Sequence, residues 1–268
     1  MTAGKLSLSG VEVRRSGRTI LHIDQLRVEP GRFVGIVGTN GAGKTTLLNV
    51  CCGLVRPDRG AVRLDDVELS RLGPWSKANI RKHIGYVPQS AQYNREIPYT
   101  LREVVTMGRT SLRGLCRPLR RQDHEAAERW IVRLGLQDRQ SQVFGSLSGG
   151  EQQKALIARA MVQDPQMLLL DEPCANLDFS WKRRITDIIA QLYSEMKMTV
   201  LMVSHETGVL PAECERVLLV HEGRILADGP MRSVFADEAF ERVYGCQMEL
   251  YEAAGRLHTV SVGPSETL

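Results

Sequence analysis

No run of this sequence approaches the roughly 18 uncharged apolar residues that a membrane-spanning helix needs, so none of its 268 residues is read as a transmembrane segment. Residues 1–30 lack the basic start, apolar run and small-residue cleavage site of a secretory signal, which leads to the expectation of a cytosolic chain held at a membrane only by a partner. Six cysteines (Cys51, Cys52, Cys116, Cys174, Cys214 and Cys246) show no CxxC spacing and no histidine at metal-ligand distance. The vicinal pair Cys51-Cys52 closes an apolar helical stretch and reads as two small buried hydrophobes of a reduced protein. There is no internal repeat and no low-complexity segment. A net charge of +4 points to a solvated basic face before it points to an acidic partner. What is present, 43% hydrophobic and 25% charged residues, is the composition of a globular protein. The length suits one large domain or one domain with a subdomain.

Apolar alternation over 6–13 and 20–28 predicts two strands of an antiparallel opening. Residues 32–37 read as a buried strand feeding a loop, and 44–52 as the helix that follows. A short strand over 84–87 stops at Pro88-Gln89. From about 95 to 150 the apolar residues Leu101, Val104, Val105, Ala126, Trp130, Ile131 and Leu134 recur at helical spacing, which predicts a helical subdomain inserted into an α/β core. After Gly150 the pattern predicts a helix to Met161 and strand 167–170. Helix 180–196, strand 199–203, a helix from 206, strand 216–220, a turn at Gly223 and strand 224–227 complete it. Residues 261–268 read as a loose tail.

Motifs that handle nucleotides lie along this framework in a fixed order. Gly38-Thr39-Asn40-Gly41-Ala42-Gly43-Lys44-Thr45-Thr46 joins a predicted strand to a predicted helix. Such a loop lets backbone N–H groups converge on phosphate, and the helix N-terminus adds its positive field. Gly38, Gly41 and Gly43 remove side chains that would block the approach. Lys44 supplies a cation to the β- and γ-phosphates and Thr45 a hydroxyl to Mg²⁺. Asp171 and Glu172 end an apolar strand at the carboxyl edge of a parallel sheet. Asp171 is placed to hold Mg²⁺, and Glu172 to act as the base that orients the attacking water. His205, after Val203-Ser204, ends another buried strand, in position to bond the γ-phosphate. Ser148-Gly149-Gly150 starts a helix with Glu151 in its first turn, a second anion site with a capping hydroxyl. One ATP is already cradled by the first loop, so this second site is read as serving the nucleotide of another copy. An ordinary serine N-cap before an amphipathic helix is the plainer alternative.

Together these residues resemble the nucleotide-binding subunit of ATP-binding cassette (ABC) transporters over residues 5–245. The resemblance implies a P-loop NTPase (RecA-like) α/β core with an antiparallel β subdomain and an inserted α-helical subdomain. The divisions are 1–94, 95–150, 151–245 and a C-terminal extension, 246–268. Lys44 and Thr45 match the family's phosphate loop, Gln89 its Q-loop, and Ser148 to Glu151 its signature. Asp171 and Glu172 match its magnesium and base positions, Ala175-Asn176-Leu177-Asp178 its D-loop, and His205 its switch histidine. The implied ligands are ATP and Mg²⁺, with Thr45, Gln89 and Asp171 around the metal and Glu172, His205, Gln89 and Lys44 at the chemistry. The implied assembly is a head-to-tail homodimer under transmembrane permease subunits at the cytoplasmic face of the membrane, with a substrate-binding protein and no nucleic acid. The chain departs from the family at two places. Arg14 and Arg15 stand where an aromatic commonly stacks on adenine, a task Arg15 is expected to take with its guanidinium. Ala175 stands where the D-loop often has serine.

Residues 97–109 resemble the segment that follows the Q-loop in importers of metal ions and iron chelates, the expected cargo class. Arg109, Arg113, Arg117, Arg120 and Arg121 form a basic region, read as a solvated connector or as a contact for anionic lipid or an acidic loop of the membrane partner. Three alternatives share the motifs: an ATPase acting on nucleic acid or in translation, a scaffold ATPase for iron–sulfur assembly, and a transporter of other cargo. The first usually carries two cassettes or a long coiled-coil insertion, and this chain has neither.

Overall fold

Two long antiparallel strands open the fold, β1 (Leu6–Arg15) and β2 (Arg18–Val28), turning at Ser16-Gly17. Strand β3 (Phe33–Val37) runs into the glycine-rich loop and helix α1 (Lys44–Cys51). Strands β4 (Arg59–Leu64) and β5 (Val67–Glu68) return beside β1 to give an antiparallel sheet in the order β2-β1-β4-β5. Helix α2 (Pro74–Arg81) leads into β6 (Ile84–Val87). The helical part holds α3 (Leu101–Met107), α4 (Thr110–Arg113), α5 (Arg121–Arg133) and α6 (Gly149–Met161). Then come β7 (Met167–Asp171), α7 (Phe179–Met196), β8 (Thr199–Ser204), β9 (Arg216–His221) and β10 (Arg224–Pro230). Helices α8 (Met231–Phe235) and α9 (Glu238–Tyr244) precede a hairpin of β11 (Cys246–Ala253) and β12 (Arg256–Pro264). This computed structural model describes residues 4–89, 98–113, 117–253 and 256–264. Cys116, Ile97 and the boundary expected at 94/95 fall outside them.

The central sheet has the order β10-β9-β3-β8-β7-β6, parallel from β9 to β6 with β10 antiparallel at one edge. Its inner strands are covered on both faces and are therefore apolar throughout. Phe33, Val37, Leu168, Leu170, Val200 and Met202 pack with Val104, Ile131, Leu156 and Ile185 of the helices. The alternate residues Val34, Ile36, Leu169, Leu201 and Val203 pack with α1 and with Leu6, Leu8 and Val11 of β1. Leu47 and Leu48 of α1 have 0% exposure between the two sheets, where truncation to alanine costs about 2–5 kcal/mol each. That packing fixes the start of α1, and with it the loop that precedes it.

The α/β architecture matches the sequence reading, with two differences. The helix expected from 206 is only a short 3-10 turn, Thr207–Val209. Ser204 Oγ accepts from Glu206 N at 2.9 Å and donates to Glu206 O at 2.7 Å, and Pro211 follows, so the segment leaves no room for helical hydrogen bonds. The tail expected from 261 is strand as far as Pro264, because β12 pairs with β11 from Cys246↔Pro264 onward. Cys51 and Cys52 are buried at the end of α1, and burial pushes the Cys52 thiol up to about 11. Arg109 and Arg113 of the basic region are committed to the buried carboxylate of Asp123, at 2.9 and 2.5 Å. Arg121 pairs with Glu125 at 2.7 Å. Among the described residues no helix is long and apolar enough to cross a membrane.

Candidate active site

A cleft of about 680 Å³ opens at the carboxyl ends of β3, β7 and β8, the edge at which open parallel sheets bind ligands. Asn40 to Thr46 line it together with Gln89, Glu172, Ala175, Asn176 and His205. The loop wraps tightly because Gly38 passes β9 at a distance no side chain tolerates: a Cβ there would lie 2.0 Å from Val220 O. Gly43 adopts φ 100°, a left-handed conformation that lets α1 begin with its first amides turned to the loop.

Lys44 is 5% exposed, and its Nζ donates to Gly38 O and Thr39 O at 2.8 Å each. Burial lowers its pKa, against the opposing pull of Glu172 and Asp171. Thr45 Oγ1 donates to Asp171 Oδ1 at 3.0 Å, and Tyr86 OH to Asp171 Oδ2 at 3.3 Å. Burial raises the pKa of Asp171, with the Thr45 and Tyr86 hydrogen bonds opposing it and the Glu172 charge adding to it. A buried carboxylate paired with an exposed hydroxyl at a helix start is a hard-oxygen set, open to the cleft, that fits a magnesium ion.

Glu172 sits at the centre of the remaining groups. Its Oε2 accepts from Gln89 Nε2 at 3.1 Å, and its Oε1 lies 3.8 Å from Lys44 Nζ. His205 Nδ1 lies 3.3 Å from Glu172 Oε2 without hydrogen-bond alignment and is buried with no hydrogen-bond partner. Its other ring nitrogen is 3.6 Å from Glu206 Oε1, and Glu206 is itself held by Lys182 Nζ at 2.5 and 2.6 Å. The backbone of Glu172 has φ 48°, a strained value for a residue with a side chain. The bonds Glu172 N to Val203 O and Ala175 N to Glu172 O, both 3.1 Å, hold it there. A carboxylate kept between a lysine, an amide and a histidine beside a phosphate-type loop can orient water at a phosphoryl group.

Ser148 stands apart from the cleft lining. Its Oγ accepts from Glu151 N at 3.3 Å, and Glu151 Oε2 accepts from Ser148 N at 2.9 Å, a reciprocal cap on α6. Ser148 and Gly149 are exposed and Gly150 is buried. Arg15 is exposed at the β1–β2 turn, in register with Arg18, and is not among the lining residues; Ile20 of β2 is. Sequence reading did not single out Ile20, Tyr86, Lys182 or Glu206. Tyr86 had one usable signal, its place on the strand that leads to Gln89.

Residues 21–175 match the family model described as ABC transporter. The manganese transport system ATP-binding protein MntB of Bacillus subtilis is 34% identical over 240 residues, 90% of this chain and 92% of that protein. The hemin import ATP-binding protein HmuV of Rhizobium meliloti is 32% identical over 250 residues, again 90% and 92%. Among solved structures, the dimeric ATP-binding cassette MJ0796 in a post-hydrolysis state with ADP and Pi shares 27% identity at a TM-score of 0.74, covering 85% of this chain and 99% of that one. An inward-facing transporter of metal-chelate type shares the fold at a TM-score of 0.81 and 24% identity, covering 98% of this chain and 99% of its counterpart. The chain belongs to the ABC transporter family, and it is one of that family's ATP-hydrolysing, ATP-binding subunits.

Proposed function

We propose that this subunit drives import of a metal ion or metal chelate, with two copies working head to tail beneath polytopic membrane subunits at the cytoplasmic face of the cell membrane. The observation that carries the reading is Glu172, held between Lys44, Gln89 and His205 in the cleft at the sheet edge.

The loop from Gly38 to Thr46 takes the triphosphate on its backbone amides, and Lys44 neutralises the β- and γ-phosphates. Thr45, Asp171 and the Gln89 amide oxygen would hold a magnesium ion, which would supply positive charge against the phosphate oxygens. Glu172 accepts a hydrogen bond from the attacking water and takes its proton as the water oxygen bonds the γ-phosphorus and ADP leaves. His205 donates toward the γ-phosphate with the nitrogen that has no hydrogen-bond partner in the chain by itself, and so senses whether that phosphate is present. Ile20 offers adenine an apolar face. Ser148, Gly149 and Gly150 present their amides to the nucleotide of the second copy.

A second cleft, about 280 Å³, supports docking of a cytoplasmic segment of the membrane subunit. It is lined by Tyr86, Leu54, Met107 and Arg81, so its apolar floor adjoins β6, the strand that leads to Gln89. The metal cargo rests on the manganese and hemin relatives and on the likeness of the sequence over 97–109 to importers of that class. A substrate-binding protein would deliver that cargo. The test is fractionation followed by uptake. A polytopic protein should co-purify with this chain, and uptake of manganese or hemin should depend on ATP. Recovery wholly in the soluble fraction with no such partner refutes the transporter assignment.

A further inference from the structure

The helix after the D-loop carries a tryptophan in its first turn. Asp178 caps α7, its Oδ1 accepting from Trp181 N at 2.9 Å, which fixes where the indole leaves the backbone. That indole lies on the start of α6. A Cβ built on Gly150 would be 2.0, 2.2 and 2.5 Å from Trp181 Cδ2, Cε3 and Cε2, so the ring sits against the glycine's Cα. A Cβ on Gly149 would be 3.2 Å from Leu177 Cδ2. Lys154 Nζ of α6 stands 5.6 Å from the Trp181 ring centroid, and Arg184 Cζ of α7 stands 5.2 Å from it. The Lys154 contact crosses from α6 to α7, while Arg184 holds the ring from within α7. The first turn of α6 therefore rests on Leu177 and Trp181, both just downstream of Glu172 in the same chain.

Amides at a helix start have no intrahelical acceptor. Ser148 caps that of Glu151, and Gly149 and Gly150 have no side chain to fix where their own amides point. What packs beneath Gly150 therefore decides their position. We propose that Trp181 is a positioning residue for ATP hydrolysis: its indole sets the height at which the Ser148-Gly149-Gly150 amides meet the nucleotide held by a second copy. The proposal rests on the two-copy reading above. Trp181 does not line the cleft around Lys44, so it governs closure of the dimer and leaves ATP binding by its own chain untouched.

The test uses the full chain in the Glu172→Gln background with MgATP and reads two quantities. Calorimetry on dilute protein measures ATP binding by single chains, and sedimentation measures ATP-driven dimerisation. Trp181→Ala should weaken dimerisation on the order of tenfold to a hundredfold, the scale of misplacing preorganised groups by about 1 Å. ATP binding by the single chain should stay within about twofold, as for a substitution remote from that site. Trp181→Phe should recover most of the loss, since a flat ring again supports Gly150. Trp181 is only half-buried, so truncation leaves a surface dent, and thermal unfolding reports whether each variant folds. Should Trp181→Ala not fold, Trp181→Leu carries the same expectation. Unchanged dimerisation, equal losses in both quantities, or no recovery by Trp181→Phe overturns the positioning role. Failure of Glu172→Gln alone to dimerise with MgATP overturns the two-copy reading, and the positioning role with it.

Discussion

Gly150→Ala should destabilise the chain although it replaces a helical glycine. Gly150 has no left-handed φ, so alanine would ordinarily stabilise α6 by about 0.5–1 kcal/mol. Against that gain, the added methyl would meet three indole atoms at 2.0, 2.2 and 2.5 Å. Overpacking of this kind costs about 1–3 kcal/mol, and contact with the rigid part of a ring belongs in the upper half of that range. The net loss is then about 1–2 kcal/mol, roughly 3–6 °C in Tm for a protein of this size. Gly149→Ala is the control, because its methyl would meet only the far end of Leu177, 3.2 Å away. It should leave Tm unchanged or raise it. In the Trp181→Ala background the obstacle is gone, and Gly150→Ala should become neutral or stabilising. Differential scanning calorimetry of the four variants decides the matter. A Tm for Gly150→Ala at or above that of the parent, or a penalty that persists without Trp181, refutes the steric reasoning.

Asp123 is covered by Arg109 and Arg113, themselves about one-fifth exposed, so its cover is side chains near the surface rather than depth. Asp123→Asn is accordingly expected to cost toward the low end of the about 3–5 kcal/mol typical of breaking a buried pair, measured by urea unfolding at pH 7. Burial alone would raise the pKa of Asp123, but hydrogen bonds from Arg113, the Arg120 amide and Arg109 outweigh it and hold the carboxyl well below the usual range. The stability it contributes is therefore present above the ordinary aspartate pKa of about 3.9 and lost as pH falls toward the lower folded value. Parent and variant should converge in urea midpoint as pH falls below about 4, and a constant gap would contradict this. Thr45→Val should raise the Mg²⁺ concentration for half-maximal hydrolysis roughly tenfold or more, the loss expected for one ligand to a charge, and EDTA should abolish hydrolysis by the parent. Lys44→Ala should lower ATP turnover by about a hundredfold or more, read in a phosphate-release assay.

The geometry of the candidate site was legible in the sequence to the extent that it is carried by strand ends. Asp171, Glu172 and His205 stand at the ends of apolar strands and Lys44 opens the helix after the loop that leaves a third, and parallel strands covered on both faces must deliver their carboxyl ends to one edge. That rule brought residues far apart in sequence into one cleft. What stayed hidden depends on side chains crossing between elements. Tyr86 reaches Asp171 from the neighbouring strand, and Trp181 reaches Gly150 from another helix; in neither case does the local sequence announce the contact. The short turn at 207–209 was expected as the start of a helix, but Ser204 and Pro211 take away the hydrogen bonds a helix needs. The expected task of Arg15 rested on the resemblance alone, which places an adenine-stacking aromatic near that position. The register of β1 with β2 leaves Arg15 at the hairpin turn, and Ile20 on the returning strand lines the cleft.

Glu172→Gln is the most direct test of the central claim, because it keeps the shape of the site and removes the proposed base. With MgATP the variant should sediment as a dimer, and its hydrolysis should fall by about a hundredfold or more relative to the parent. A variant that hydrolyses ATP at the parent rate, or that remains a single chain in MgATP, contradicts the assignment of the base and the sharing of ATP between two copies.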